Sequence, residues 1–230
     1  MSLHYDKMKI MKRKKLTEKG KEAAAQILEA AKEEFYSNGY IKTTIKSITD
    51  RNSVYPSWVT YYFKTKNDLV KELYLELYEK IDKRIEESDC IIPNKLLFQF
   101  VRMRIIYKVL FYDEPTKAFF YELNKKGMSF DITGESMMNY YKEIANEFNL
   151  AVSMDELEVL MRMSNVSRID FFVNYAEGRY PNIELEDAYS MLERFVPLSL
   201  RIDTATVDSL LLTSIHFANT IGIGDIRFLK

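Results

Sequence analysis

The first part of the chain spaces its apolar residues with the period of an α-helix. Between positions 21 and 38 they recur on one helical face, as Ala24, Ile27, Leu28, Ala31 and Phe35. This spacing predicts a first amphipathic helix of about five turns. Gly39 comes next and is placed to end the helix in a left-handed conformation.

Three further helices follow at short intervals. Thr44 stands where an N-cap belongs, so a short second helix is expected to run to about Asn52. After a turn, Pro56 is suited to the first position of a third short helix that ends near Tyr62. The segment 65–68, Thr-Lys-Asn-Asp, has the form of a capping box and opens a long fourth helix. Two short helices joined by a tight turn predict a helix-turn-helix unit.

The remainder of the chain predicts an all-α body. Its expected helices are Lys66 to Glu87, Asn94 to Tyr112, Thr116 to Lys126, Glu135 to Phe148, Met154 to Glu177, Glu184 to Phe195 and Thr204 to Ile221. Their boundaries come from apolar periodicity and from proline and glycine, with Gly127 and Gly134 taken as loop residues. The absence of a long flexible linker favours direct packing of this body on the N-terminal unit.

Composition narrows the class of protein. The chain has 230 residues, 47% of them apolar, and no apolar run approaches the roughly 20 residues of a membrane span. The expectation is a cytoplasmic protein without a membrane partner. One cysteine and two histidines supply a metal site poorly, so no metal and no cofactor is expected.

Charge divides the chain in two. Residues 1–66 carry 14 Lys+Arg against 7 Asp+Glu, a balance of +7, and residues 67–230 carry 19 against 27, a balance of −8. The split predicts a basic domain at 1–66 that meets a polyanion and an acidic helical domain at 67–230 with another task. The basic run Lys12 to Lys15 is equally explained as a solvated tail.

The N-terminal spacing resembles that of the TetR-type transcriptional regulators. In that family a first helix ends in Gly-Tyr, Thr-Thr precedes a short helix, a recognition helix ends in Tyr-x-Tyr-Phe, and Lys-x-x-Leu follows. The matching residues here are Ile27, Ala30, Ala31, Phe35, Gly39, Tyr40, Thr43, Thr44, Ile48, Val54, Tyr62, Phe63, Lys66 and Leu69. The chain departs from the pattern at the turn and on the recognition helix, at Asn52, Ser53, Tyr55, Ser57, Trp58 and Thr60.

The resemblance implies a DNA interface, which the residue chemistry also favours. Val54, Val59, Tyr62 and Phe63 are expected in the core, and the face offered to a major groove then consists of Tyr55, Pro56, Ser57, Trp58, Thr60 and Tyr61. Trp58 fits a base or sugar contact and partner packing equally well. Thr44, Lys46 and Lys66 stand at helix starts, where an anion is favoured, and are expected to contact phosphates.

The body is rich in aromatic and methionine side chains, which suit either a core or an apolar ligand cavity. The resemblance implies that some enclose an apolar or amphipathic small-molecule effector, and the candidates are Phe100, Met103, Tyr107, Phe111, Met138, Tyr141 and Phe172. Polar groups such as Arg104, Asn165 and Arg168 would accompany them. Arg102, Arg104 and Lys108 could equally face water.

The expected function is that of a ligand-responsive regulator that binds palindromic double-stranded DNA as a homodimer. Because most regulators of the family it resembles are repressors, repression is expected. The apolar residues expected at the dimer interface are Leu157, Leu160, Met161, Val207, Leu210, Leu211 and Ile215. No phosphate-binding loop, nucleophile elbow or histidine pair favours an enzyme. A helical protein-binding adaptor, without sequence-specific DNA recognition, is the alternative.

Overall fold

The computed structural model describes residues 17–51 and 55–230. Within these ranges the chain forms ten α-helices and no strand. They are α1 (Glu18–Lys42), α2 (Ile45–Arg51), α3 (Pro56–Tyr62), α4 (Lys66–Glu86), α5 (Lys95–Leu110), α6 (Glu114–Lys125), α7 (Ser129–Glu147), α8 (Met154–Ala176), α9 (Leu185–Ser199) and α10 (Thr204–Ile221). The predicted all-α class, a helix-turn-helix unit followed by a helical body, is confirmed.

Local signals build the N-terminal unit as the sequence predicts. The Thr17 hydroxyl caps α1, and Gly39 breaks it with a φ of 72° before its last short turn. Pro56 opens α3, and the capping box between Thr65 and Asp68 opens α4. Helix α1 packs against α2, α3 and α4, so the two short helices are held on a longer one.

Helix α5 is the centre of the body. All of its residues except Lys95 and Lys108 are buried, and it packs against α4, α6, α7, α9 and α10. Two of the three basic residues that could have faced water are inside. The Arg102 guanidinium lies 3.3 Å from an Asp82 oxygen, and the Arg104 guanidinium donates to Ser214 at 2.8 Å. Charges on the buried faces of such a helix must be paired within the protein, because they cannot reach solvent.

The last segment, residues 222–230, crosses the joint between the body and the N-terminal unit. Ile226, Phe228 and Leu229 are buried. The Phe228 ring lies 4.7 Å from the Tyr74 ring of α4 and 5.9 Å from the Phe119 ring of α6. This segment therefore closes the core between those two helices.

In the body, two helix boundaries differ from the prediction by more than two residues. Helix α7 begins at Ser129 and not at Glu135, because Gly134 lies inside it: the Phe130 ring fills the space that a β-carbon on Gly134 would occupy, at 3.0 Å. Helix α9 continues beyond Phe195 through Pro197 to Ser199. Arg201, two residues beyond the helix end, is left-handed with a φ of 68°, although it is not a glycine.

The described part of the chain, residues 17–51 and 55–230, lacks two kinds of feature. No helix there combines the length and the apolar character needed to cross a bilayer. Among the same residues, no group of three or more His, Cys, Asp or Glu side chains is arranged to hold a metal ion.

Candidate DNA interface and ligand cavity

Helix α3 is short and is fixed at both ends. The Trp58 N–H donates to the Tyr55 carbonyl at 2.9 Å, and the Phe63 N–H donates to the Val59 carbonyl at 2.7 Å. Val59 and Phe63 are buried and attach the helix to the core, with Tyr62 half-buried beside them. The expected core positions are confirmed, apart from Val54, which lies outside the described residues.

The opposite face of α3 is aromatic and open to solvent. Tyr55 is 65% exposed, Trp58 is 43% exposed and Tyr61 is 56% exposed, with the Tyr55 and Trp58 rings 5.5 Å apart. Pro56, Ser57 and Thr60 are exposed as well. All six residues expected to face a major groove thus share one surface, which we call the aromatic face. Their contact with DNA stays a prediction.

The start of α2 presents Thr44 and Lys46 to solvent. The Thr44 hydroxyl accepts from the Ser47 N–H at 3.0 Å, and the Ser47 hydroxyl accepts from the Thr44 N–H at 2.9 Å. This reciprocal cap satisfies the N–H groups of Thr44 and Ser47, so these two backbone donors are not free to bind a phosphate. An anion at this end would be held by the Lys46 ammonium and by the hydroxyl groups. The basic run from Lys12 to Lys15 lies outside the described residues.

Lys66 has a structural task that the sequence did not reveal. Its ammonium donates to the Tyr40 carbonyl at 2.8 Å and to the Thr43 carbonyl at 2.9 Å, and it lies 4.1 Å from the centre of the Tyr40 ring. Burial lowers the pKa of Lys66. The side chain therefore ties the start of α4 to the end of α1, and its phosphate contact stays a prediction.

The joint between the N-terminal unit and the body is formed by α1 and α6. The Phe35 and Phe119 rings meet edge to face at 5.0 Å. The Ile41 N–H donates to a Glu122 carboxylate oxygen at 2.7 Å. Gly39 allows this approach, because a β-carbon there would lie 2.7 Å from the same oxygen.

A cavity of about 90 Å³ lies in the body, enclosed by α4, α5, α6, α7 and α8. Three of the predicted ligand-binding residues line it: Met103, Tyr107 and Phe172. Asn165 and Arg168 line it too, whereas Arg104 is paired elsewhere, with Ser190 and Ser214. The volume is below the several hundred Å³ of a usual ligand site, so a larger ligand would have to widen it.

The other four predicted ligand residues lie outside this lining. Phe100 is fully buried in the body core. Phe111 follows the end of α5 and packs on the Phe120 and Phe172 rings. Met138 is half-buried and its neighbour Met137 takes the lining position, while Tyr141 is fully buried. Sequence periodicity identifies apolar residues, but it does not distinguish the side of a buried helix that faces a void.

Arg168 forms the polar end of the cavity. One nitrogen of its guanidinium donates to the Tyr107 hydroxyl and to a Glu193 oxygen, both at 2.6 Å, and a second nitrogen donates to Ser164 at 3.2 Å. Burial raises the pKa of Tyr107 to about 12. Burial by itself would lower the pKa of Arg168, but Glu193, Tyr107 and Tyr141 together outweigh it, so the pKa of Arg168 is raised. Tyr107 is therefore neutral and Arg168 charged at neutral pH.

Sequence reasoning missed the cavity-lining residues of α4. Tyr74 and Tyr78 of α4 line the cavity, and Phe120, Leu123 and Asn124 of α6 lie across from them. The available signal was the four-residue spacing of the two tyrosines beside the leucine stripe of α4. Such a stripe is normally assigned to core packing.

The residues expected at a dimer interface are mostly inside the chain, so that prediction was wrong for four of them. Leu157, Met161, Val207 and Leu211 are buried, and Leu160, Leu210 and Ile215 are half-buried. The exposed apolar side chains of the same two helices are instead Met154, Val159, Met163 and Val166 on α8 and Leu212 on α10. The most apolar face of each helix packs against its own chain, because burial favours the larger stripe.

Comparison with known proteins gives a local match. Residues 27–73 match the family model described as bacterial regulatory proteins, tetR family. No curated protein sequence matches the chain. The predicted resemblance is confirmed by the family match, which covers α1 from Ile27 onward, the helix-turn-helix and the start of α4.

Two solved structures are similar along most of the chain. One is a gamma-butyrolactone receptor (ArpA-like protein), with 16% identity and a TM-score of 0.43, covering 88% of this chain and 99% of that one. The other is GusR of Salmonella enterica, with 18% identity and a TM-score of 0.41, covering 90% of this chain and 100% of that one.

Proposed function

We propose that this chain, whose N-terminal helix-turn-helix is that of the tetR family of bacterial regulatory proteins, is a homodimeric transcriptional regulator that a ligand in the body releases from palindromic DNA. The observation that carries the proposal is the aromatic face of α3, solvent-exposed on a helix-turn-helix within the matched segment 27–73. Repression is the expected sign of regulation. The catalytic alternative has no support among the described residues.

Selection of bound fragments from genomic DNA tests this proposal. The expected result is a two-fold symmetric site whose half-sites lie about 34 to 36 Å apart. Affinity should fall steeply with salt, because lysine contacts to phosphates release counterions. If no symmetric site is enriched, the chain is better explained as a protein-binding adaptor.

The second subunit is proposed to pack on the exposed apolar side chains of α8 and α10. Val159, Met163 and Val166 follow one another at intervals of four and three residues on one face of α8, and Leu212 is exposed on α10. Two such helices from each subunit would form a four-helix interface, and its two-fold symmetry suits a palindrome.

Light scattering at micromolar concentration tests the interface. Wild type should be a dimer, and Val166→Glu should be monomeric while keeping its helical content. Ile91→Glu is the matched control, because Ile91 is 85% exposed and lies in the loop between α4 and α5, not on α8 or α10. A monomeric wild type that still binds DNA would exclude the symmetric arrangement.

Helix α6 offers a route from the ligand to the DNA-binding unit. Phe120 and Leu123 line the cavity, while Phe119 and Glu122 of the same helix contact α1. Helix α4 has the same double role, because Tyr74 lines the cavity and Lys66 holds the end of α1. A ligand that widens the cavity would move both helices and change the separation of the two aromatic faces.

Linkage gives a reciprocal test of this route. If the ligand weakens DNA binding by some factor, saturating DNA must weaken ligand binding by the same factor. Phe172→Ala should impair the ligand response and leave the DNA affinity of the unliganded protein unchanged. Equal loss of both, with a lower unfolding temperature, would assign Phe172 to the core alone.

A further inference from the structure

We propose that the ligand of the cavity is an uncharged molecule with a hydrogen-bond-accepting oxygen at one end of an apolar body, and that Arg168, paired with Glu193, selects it. This inference rests on the proposed ligand response of the body. It goes further by naming the charge of the ligand and the residues that discriminate. Geometry and charge at the polar end of the cavity support it.

The lining of the cavity is nearly free of charge. Among the described residues that line it, Arg168 is the only one ionised at neutral pH. The other polar lining side chains are neutral amides, hydroxyls and phenols, such as Asn165, Thr133 and Tyr107. A lone guanidinium in such a site would attract an anion. The class of ligand therefore depends on whether the charge of Arg168 is compensated within the protein.

The charge of Arg168 is already compensated inside the protein. Glu193 accepts from the guanidinium at 2.6 Å and is itself 1% exposed, behind the cavity wall and outside its lining. The pair has no net charge. An ionised carboxylate brought to Arg168 would place a second anion near Glu193 in a region of low dielectric, and it would lose its own hydration.

A neutral oxygen avoids both costs. A guanidinium has five N–H groups in a planar fork, and those of Arg168 also reach Ser164 and, at 3.5 Å, the Leu192 carbonyl. These contacts hold the fork still at the cavity wall. A ketone, ester or alcohol oxygen can accept from it while the apolar body of the ligand lies against the Met103, Phe120 and Phe172 side chains.

The test uses three probes with matched eight-carbon chains: octan-2-one, octanoate and octylammonium. Calorimetry at pH 7.5 on the full chain should give octan-2-one at least tenfold tighter binding than either ion. Any apolar cavity could produce part of that preference, so a variant is needed to show that the Arg168–Glu193 pair causes it. Glu193→Gln leaves the guanidinium uncompensated. The affinity for octanoate should then rise at least tenfold, and the affinity for octan-2-one should change by less than about threefold.

A second variant covers the case in which Glu193→Gln fails to fold. Replacing both partners, Arg168→Leu with Glu193→Leu, removes the buried pair without leaving a lone charge, a change that proteins often tolerate. It should weaken octan-2-one about tenfold through loss of a charge-assisted hydrogen bond. The inference would be overturned if this variant bound octan-2-one as tightly as the wild type does. It would also be overturned if the wild type bound octanoate as tightly as octan-2-one.

The same samples separate this inference from the proposed function. DNA affinity is measured in parallel with each probe. Neutral selectivity without any effect on DNA supports the assignment of the ligand class and contradicts the ligand response. Release of DNA by octanoate or octylammonium, with no preference for octan-2-one, supports the response and overturns the assignment.

Discussion

Replacement of Gly39 by alanine tests the joint between the DNA-binding unit and the body. Gly39 has a φ of 72° and a ψ of −176°, a backbone conformation that is almost confined to glycine. An alanine β-carbon would also lie 2.7 Å from the Glu122 oxygen that accepts from the Ile41 N–H. The variant therefore combines backbone strain with the loss of a hydrogen bond across the joint.

The two contributions can be sized separately. A non-glycine residue in that conformation costs about 1 to 3 kcal/mol. The Glu122 carboxylate ends a flexible side chain and can move away, so the clash itself is relieved at the cost of its hydrogen bond, about 1 kcal/mol at an exposed site. The sum is about 2 to 4 kcal/mol, which lowers the unfolding temperature of a chain of this size by roughly 4 to 16 °C.

Urea unfolding of four proteins separates the two effects at one protein concentration: wild type, Gly39→Ala, Glu122→Ala and the double variant. The double variant should lose about 1 kcal/mol less than the two single losses combined, because the shared hydrogen bond can be lost only once. Gly127→Ala is the control. Gly127 also has a positive φ, of 67°, but nothing lies within 4 Å of its β-carbon position. Additive losses, or equal costs at the two glycines, would refute the contact.

Four further substitutions extend the test to charge and to DNA. Burial raises the pKa of Glu72 from 4.5 to about 7, so the folded protein retains a proton that the unfolded chain releases between those pH values, and stability falls as pH rises through that window. Glu72→Gln should therefore gain urea resistance relative to wild type between pH 5 and pH 8, and parallel profiles would contradict the raised pKa. Lys46→Ala should weaken all DNA sites alike and reduce the salt slope by about one, without loss of stability, whereas Lys66→Ala should also lower the unfolding temperature because two carbonyls lose their donor. Trp58→Ala should change which base is preferred in a binding-site selection, and a uniform loss would assign Trp58 to packing.

The N-terminal unit was predictable because its signals are local. A cap, a proline or a glycine acts within four residues, so Pro56 and Gly39 identify their helix ends without knowledge of the rest of the chain. The start of α7 and the end of α9 were predicted wrongly because they do not follow the rule that glycine marks a helix end. Arg201 adopts a left-handed conformation that sequence rules reserve for glycine, and Gly134 lies within a helix against Phe130.

The cavity and the dimer face were less predictable because both depend on what lies opposite a helix. Met103 and Tyr107 face the void while Phe100 of the same helix does not, although all three are buried. On α8, Leu157 is more buried than Val159 only because other helices of the same chain cover it. A pattern of apolar residues does not show which other helix packs against a given face.

The segment 222–230 completes a contact with α1, the first helix of the described residues. Phe228 packs on Phe119 and Tyr74, and the Lys230 ammonium lies 4.3 Å from the centre of the Tyr36 ring on α1. During synthesis, the joint between the DNA-binding unit and the body therefore stays incomplete until the segment 222–230 has left the ribosome. Contacts so distant in sequence close slowly. A substitution of Phe228, which packs on both Phe119 and Tyr74, would therefore slow the step that docks the two parts.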